Sequence, residues 1–505
     1  MADVTSSNNP QIEDHAYELK DLLNPEDSSE LGERSVNVKS QNLSPKNAPS
    51  PPPETLERIF TKEEQTNIKI FINSITKGIP TSFTYADYYY CMLTLKILIG
   101  LTPDITLFAS TAYFSSYYTV FMFGLITGVI DAQSNCGAQA YGRRDYKKVN
   151  LYLRQSLVVA FSLFFVFVAF PTIFVERVLL WLQVDPALAA QSQTLIIVSL
   201  PAIFMRILND NIKTFLQNQG YLQEIGFASV SMFLVFMPVS HWLIITKGMG
   251  ALGFALSILI YETGCCLACI MIMRAKCSQE VLDCAAPVFD NIFFYYKYTL
   301  SIFVTRIAGS LCWNLVTVML GSYSTQPDLA AFTTAQNFSQ ICYAGSRGVV
   351  VYIGTIINQK LGSGKLKEAK DLFQRCFMVN LWFAVVFCLI FGVISGSLVI
   401  FRLFSSEEVI TRFTPLVLVI MLNCFVLTNY NLTMKVIYSH GYMKQMTYSQ
   451  ICDLVMLPIN FYLSCYLGYG SATGYLCPVL GLYMKTAVCL YYLFSKIDWM
   501  AFKSF

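Results

Sequence analysis

Twelve runs of about twenty residues carry few charges, the first near 79–101 and the last near 472–494. In water such runs would need polar cover, and a chain that is 55% hydrophobic and 13% charged has too little of it. In lipid that cover is unnecessary. A helix of about 20 residues crosses the hydrocarbon core with its backbone satisfied internally, which an open sheet cannot do. The expected fold class is therefore all-α integral membrane, with twelve transmembrane helices. Span 79–101 is the weakest of them, being Tyr-rich and holding Asp87 and Lys96.

The twelve spans divide into two similar sets of six. Gly128, Gln139, Gly142 and Lys147 recur 220 residues later as Gly348, Gln359, Gly362 and Lys367, and Pro238 recurs as Pro458. Gly220-Tyr221 and Gly441-Tyr442 differ by 221. A duplicated bundle of membrane helices explains this spacing, and that architecture is common among transporters. The expected organisation is a tail at 1–65, a first lobe at 66–285 and a second at 286–505. Lys and Arg collect in the even-numbered links, as in Arg143, Arg144, Lys147 and Lys148, and again in Lys360, Lys365, Lys367 and Lys370. Those links and both termini are expected on the cytoplasmic side. Lys435 counts with the link after span 10, and like Lys96 it is near enough to a helix end to snorkel.

The first 60 residues differ in kind, holding seven of the eighteen prolines and few apolar side chains. Such a segment reads as a disordered cytosolic tail. Glu18 with Leu22 and Leu23 resembles an acidic dileucine signal for a sorting adaptor, which tilts the expected location toward a vacuolar or endolysosomal membrane, with the plasma membrane open. Thr61 and Glu64 form a capping box for an entry helix.

Three motifs resemble those of multidrug and toxic compound extrusion (MATE) transporters. Gly128 to Gly142, ending Gln139-Ala140-Tyr141-Gly142, resembles the family's signature closing the second helix. Pro201 followed by Phe215-Leu216-Gln217-Asn218-Gln219 is similar to its segment between helices 4 and 5. Leu361-Gly362-Ser363-Gly364 with Glu368-Ala369 looks like the segment after helix 8. The resemblance spans roughly 66–495. It implies two six-helix lobes around a central cavity, exporting organic compounds by alternating access against protons or sodium. Gly142 and Gly362 end long helices, where glycine turns a chain without steric cost, and Gln139 and Gln359 could cap or cross-link backbone there. In many eukaryotic members helix 7 carries a glutamate. Here Gly309 and Asn314 occupy the corresponding stretch, with Arg306 one turn earlier, so the second lobe lacks that carboxylate.

A charge at the bilayer centre costs about 2.5–3.5 kcal/mol, so each deep one needs a partner or a purpose. Asp87 and Glu262 lie near mid-depth in the first lobe. Burial disfavours a charged carboxylate, which suits both to taking up and releasing a coupling ion. The second lobe holds Arg306, Arg347 and Lys485 against Asp453, and Asp453 and Lys485 are expected to take part in charge pairing there. Thr333, Gln336, Gln340, Tyr343 and Arg347 fall on one narrow stripe of span 8, and Arg306, Gly309 and Trp313 share a face of span 7. A substrate cavity is therefore expected among Arg306, Trp313, Asn314, Gln336, Gln340, Tyr343 and Arg347. The alternative is structural, with Arg347 or Arg306 paired to Asp453. Three basic groups against one acid favour an anionic or zwitterionic substrate.

The reading is a secondary antiporter for small organic solutes or xenobiotics. The alternative is a lipid-linked-oligosaccharide flippase, which would want a uniformly basic cavity. No hydrolytic triad, phosphate loop or metal-ligand spacing supports an enzyme, a cofactor or a metal site, and nothing points to nucleic acid. Cys266 and Cys269 lie mid-membrane without a second pair, where they act as small apolar residues.

Overall fold

The computed structural model describes residues 67–502 except 103, 182–183, 283–286 and 401–406. Glu18, Leu22, Leu23, Thr61 and Glu64 lie outside the described residues. Among those described, no strand occurs, and twelve long helical segments follow one another. In the first half these are α1 (Asn67–Gly100), α2 (105–142), α3 (146–181), α4 (Pro186–Asn218), α5 (Leu222–Thr246) and α6 (Gly250–Lys276). In the second they are α7 (Ile292–Tyr323), α8 (Gln326–Gly362), α9 (Leu366–Ile400), α10 (Glu407–Ser439), α11 (443–466) and α12 (Gly470–Ser495). Ten are long and apolar enough to cross a membrane on composition alone. The other two are α1, diluted by tyrosines and charges, and α11, whose α-helix breaks at Gln450. Large apolar side chains such as Phe165, Leu234, Met271, Trp382 and Leu418 are exposed around the bundle. That outer surface suits lipid tails.

The duplication is visible in backbone detail. Pro238 and Pro458 each lack the N–H that would bond the carbonyl four residues earlier. Each is followed within a turn by a wider π-helical stretch, at Trp242–Thr246 and at Phe461–Tyr466. Left-handed glycines recur in the links on either side of these helices in both copies: Gly220 and Gly441, Gly248 and Gly468, Gly250 and Gly470. In the first half α4 packs on α6, and in the second α10 packs on α12.

The halves meet where α1 lies on α8 and α2 on α7. A Cβ at Gly128 would stand 2.9 Å from the Cα of Phe303, and one at Gly348 would collide with the backbone of Ser82. The Ser82 hydroxyl donates to the Gly345 carbonyl at 2.6 Å. Toward the end that carries the basic links, the contact becomes reciprocal. A Cβ on Gly142 would lie 2.8 Å from the Cα of Gln359, and one on Gly362 would lie 2.7 Å from the Cα of Gln139. Gln139 Nε2 donates to the Ser439 carbonyl at 3.2 Å, and Gln359 Nε2 to the Asn218 carbonyl at 2.8 Å. Each glutamine thus ties its helix to the end of a helix in the other half.

This corrects the role expected of Gly142 and Gly362. Neither is left-handed; the residues that take that conformation after α2 and α8 are Arg144 and Gly364. What demands glycine at 142 and 362 is close approach of two backbones.

Candidate functional site

Two clusters of buried charge flank one cleft. In the first half, Arg206 on α4 sits among three carboxylates. Its Nη1 lies 2.7 Å from Glu262 Oε1 and 3.3 Å from Asp87 Oδ1, and its Nε lies 2.9 Å from Asp210 Oδ2. Lys213 Nζ is 2.9 Å from Asp87 Oδ2. Asn209 Nδ2 donates to Glu262 Oε2 at 2.7 Å, and the Tyr261 hydroxyl donates to Asp87 Oδ2 at 3.0 Å. Asp87 and Glu262 are therefore held in one network, joined through α4. Three carboxylates against two cations leave it with a net charge of −1. Arg206, Asp210 and Lys213 escaped notice in the sequence, yet their spacing of four and then three residues puts them on one helix face. The test that found the stripe on α8 would have found this one.

The second cluster spans the two halves. Asp131, on α2, pairs with Arg306 of α7, lies 3.2 Å from Arg347 Nη2 of α8, and lies 3.9 Å from Lys435 Nζ of α10. All four are largely buried. The expected pairing of Arg306 or Arg347 with Asp453 does not occur. Asp453 instead pairs with Lys485, whose Nζ also donates to Gln450 Oε1 at 3.3 Å. The pairing differs because α7 and α8 face α2 across the halves, where Asp131 is the available carboxylate. Lys435 neither lies in a link nor snorkels. It is 4% exposed, and α10 continues beyond it to Ser439. An unremarked acid in an apolar stretch, Asp131, was legible by the same depth test applied to Glu262.

Between the clusters lies a narrow cleft with an open volume of about 30 Å³ in this conformation. Tyr85, Tyr88 and Tyr89 of α1 line it with Tyr118 of α2 and Tyr343 of α8. Arg206 and Asp210 reach it from one cluster and Arg347 from the other. The Arg347 guanidinium stacks over Tyr85 at 5.2 Å and over Tyr343 at 5.6 Å, and it also bonds the Tyr343 hydroxyl. Arg206 lies over Tyr88 at 5.2 Å. Gln340 accepts from the Tyr89 hydroxyl at 3.0 Å, so it braces the wall. Gln217 accepts from Tyr85 in the same way, at 3.0 Å.

Of the residues expected to form a substrate cavity, the cleft gathers Tyr343 and Arg347 directly. Arg306 stands behind them through Asp131. Gln336 is half-buried further along α8, outside the lining. Asn314 bonds the Ser310 carbonyl of its own helix. Trp313 packs edge-on against Tyr475 and lines a separate small pocket of about 10 Å³ with Asp453. Pro201 is exposed on α4 and Gln219 bonds the Phe215 carbonyl, so neither touches the cleft.

Two six-helix copies with buried ion pairs flanking a cleft define a membrane transporter built from internal repeats. A family model described as MatE matches residues 80–243 and again 301–463, once in each half. The chain belongs to this family, the multidrug and toxic compound extrusion transporters. Protein DETOXIFICATION 12 of Arabidopsis thaliana is 24% identical over 357 residues, covering 67% of this chain and 71% of that protein. Protein DETOXIFICATION 9 of the same plant is 20% identical over 427 residues, covering 81% and 86%. The crystal structure of the eukaryotic MATE transporter AtDTX14 superposes with a TM-score of 0.76 at 16% identity, over 85% of this chain and 97% of that one. At that identity the superposition establishes the fold alone.

Proposed function

We propose that the protein is a secondary antiporter that exports small organic solutes in exchange for protons, with the solute in the tyrosine-lined cleft and the proton in the Asp87–Asp210–Glu262 network. The observation that carries this reading is the network's charge. Three carboxylates around Arg206 and Lys213 leave one negative charge uncompensated in a buried site, and a single proton neutralises it. A proton suits the place better than sodium. Sodium needs a shell of oxygen ligands, whereas these oxygens already face donors from Arg206, Lys213, Asn209 and Tyr261.

Coupling follows from Arg206 and Asp210 serving both places, since each lines the cleft and belongs to the network. Protonation of one carboxylate frees Arg206 to redistribute its bonds, and a solute in the cleft meets a changed wall. The basic links face the cytoplasm. The reciprocal contact at Gly142 and Gly362 then seals the cytoplasmic side in this conformation. A flippase for pyrophosphate-linked lipids would call for a uniformly basic chamber, and Asp210 on the cleft wall favours the antiporter.

Reconstitution in liposomes tests the reading. A pH gradient at equal sodium is expected to drive solute transport, and a sodium gradient at equal pH is not. Glu262→Gln keeps the size of the side chain but removes its proton uptake, so pH-driven transport should fall at least about tenfold while expression is retained. Undiminished transport by that variant, or drive by sodium alone, would refute proton coupling here.

A further inference from the structure

The Asp131 cluster holds an excess of positive charge that no carboxylate among the described residues compensates. One carboxylate faces three cations, which leaves a net charge of +2. Lys435 Nζ is buried and makes no hydrogen bond among the described residues, and neither does Arg306 Nε. A buried ammonium without an acceptor is costly unless an anion completes its surroundings. The stem of Lys435 crosses α8 at Gly354, where a Cβ would stand 2.7 Å from its Cγ, so the backbone makes room for this side chain. The cleft reaches the cluster at Arg347, whose guanidinium is sandwiched by Tyr85 and Tyr343.

A tyrosine-walled cleft could also attract an organic cation through the ring faces. The charges on its wall oppose that. Arg347 on the wall belongs to the cluster of net charge +2, while Arg206 and Asp210 belong to the network of net charge −1, so the two together leave +1 around the cleft.

We infer that Arg347, Arg306 and Lys435 form an anion-binding site, and that the exported solute is a planar aromatic anion whose carboxylate, sulfonate or phosphate takes the place of Asp131 among them. This rests on the proposal that the cleft holds the solute, and names its chemical class. The aromatic body lies against the tyrosines, and the anionic group reaches Arg347 first. Asp131 comes from the first half and its three partners from the second, so an arriving anion loosens an ion pair that straps the halves together. Solute binding and lobe movement are coupled by that exchange of counter-ions.

Equilibrium binding to the full chain in lipid nanodiscs tests this, with carboxyfluorescein as aromatic anion and ethidium as aromatic cation. Wild type should bind carboxyfluorescein in preference to ethidium. K435Q removes a cation that makes no hydrogen bond, so it should fold, and it should weaken carboxyfluorescein binding at least about tenfold. D131N removes the resident competitor and should tighten that binding about tenfold. Preference for ethidium, a K435Q variant that binds like wild type, or weaker binding by folded D131N would each overturn the assignment. So would complete displacement of the dye by equimolar chloride, which would mark a halide site only. Binding is read without any gradient. Failure of proton coupling leaves this readout intact, and failure of anion binding leaves proton-driven export standing.

Discussion

Replacing Arg206 with glutamine is expected to abolish transport and to destabilise the bundle by about 3–5 kcal/mol, as removal of one partner from a buried ion network does. Among the described residues, Arg206 alone pairs with all three carboxylates of the first-half network, within 2.7, 2.9 and 3.3 Å of Glu262, Asp210 and Asp87. Without it, Lys213 alone faces three acids, and the uncompensated charge grows from −1 to −2. Transport should fall by about a hundredfold or more, because small displacements of coupled groups already have effects of that size. Thermal unfolding of the purified variant and uptake in liposomes give the two readouts. The double variant R206Q/E262Q returns the charge to −1 and should regain part of the lost stability, a non-additivity that a double-mutant cycle measures. Equal melting temperatures for wild type and R206Q would contradict the central place given to Arg206.

G142A and G362A should each reduce transport at least about tenfold and cost about 1–3 kcal/mol, the range for forcing a methyl group into filled space. Each added Cβ would meet backbone rather than a flexible side-chain end, 2.8 Å from the Cα of Gln359 or 2.7 Å from that of Gln139. The neighbouring helix must then move, and the glutamine bonds to Ser439 and Asn218 move with it. The reciprocal geometry means the two substitutions should have similar effects. G396A is the control: nothing lies within 4 Å of a Cβ there, so alanine should be neutral or mildly stabilising. If G142A matched G396A in transport and stability, the close approach of α2 and α8 would not be a working part of the protein.

Much of the fold was legible because hydropathy and length act locally. α4 and α12 follow from apolar runs, and the two copies follow from subtraction of residue numbers. α1 begins at Asn67 rather than at 79, because its polar first turns continue the same helix as its apolar part. The site was legible only in pieces. Glu262 and Asp87 stood out as deep acids and do share a network. Asp131, Arg206, Asp210 and Lys213 are buried charges too. Only four residues separate Lys435 from the end of α10, yet its stem packs on α8 at Gly354 and its side chain stays inside.

The sequence by itself determined that the chain is an all-helical membrane protein, that one set of motifs recurs in its two halves, and that ionisable groups interrupt its apolar runs. These depend on the order of residues along one helix. Which carboxylate the two arginines meet was decided by the tertiary structure alone: Arg306 and Arg347 turn to Asp131 across the halves. Helical periodicity fixes the face on which a charge stands, but the energy of an ion pair depends on its through-space distance, and that distance exists only once the helices have packed.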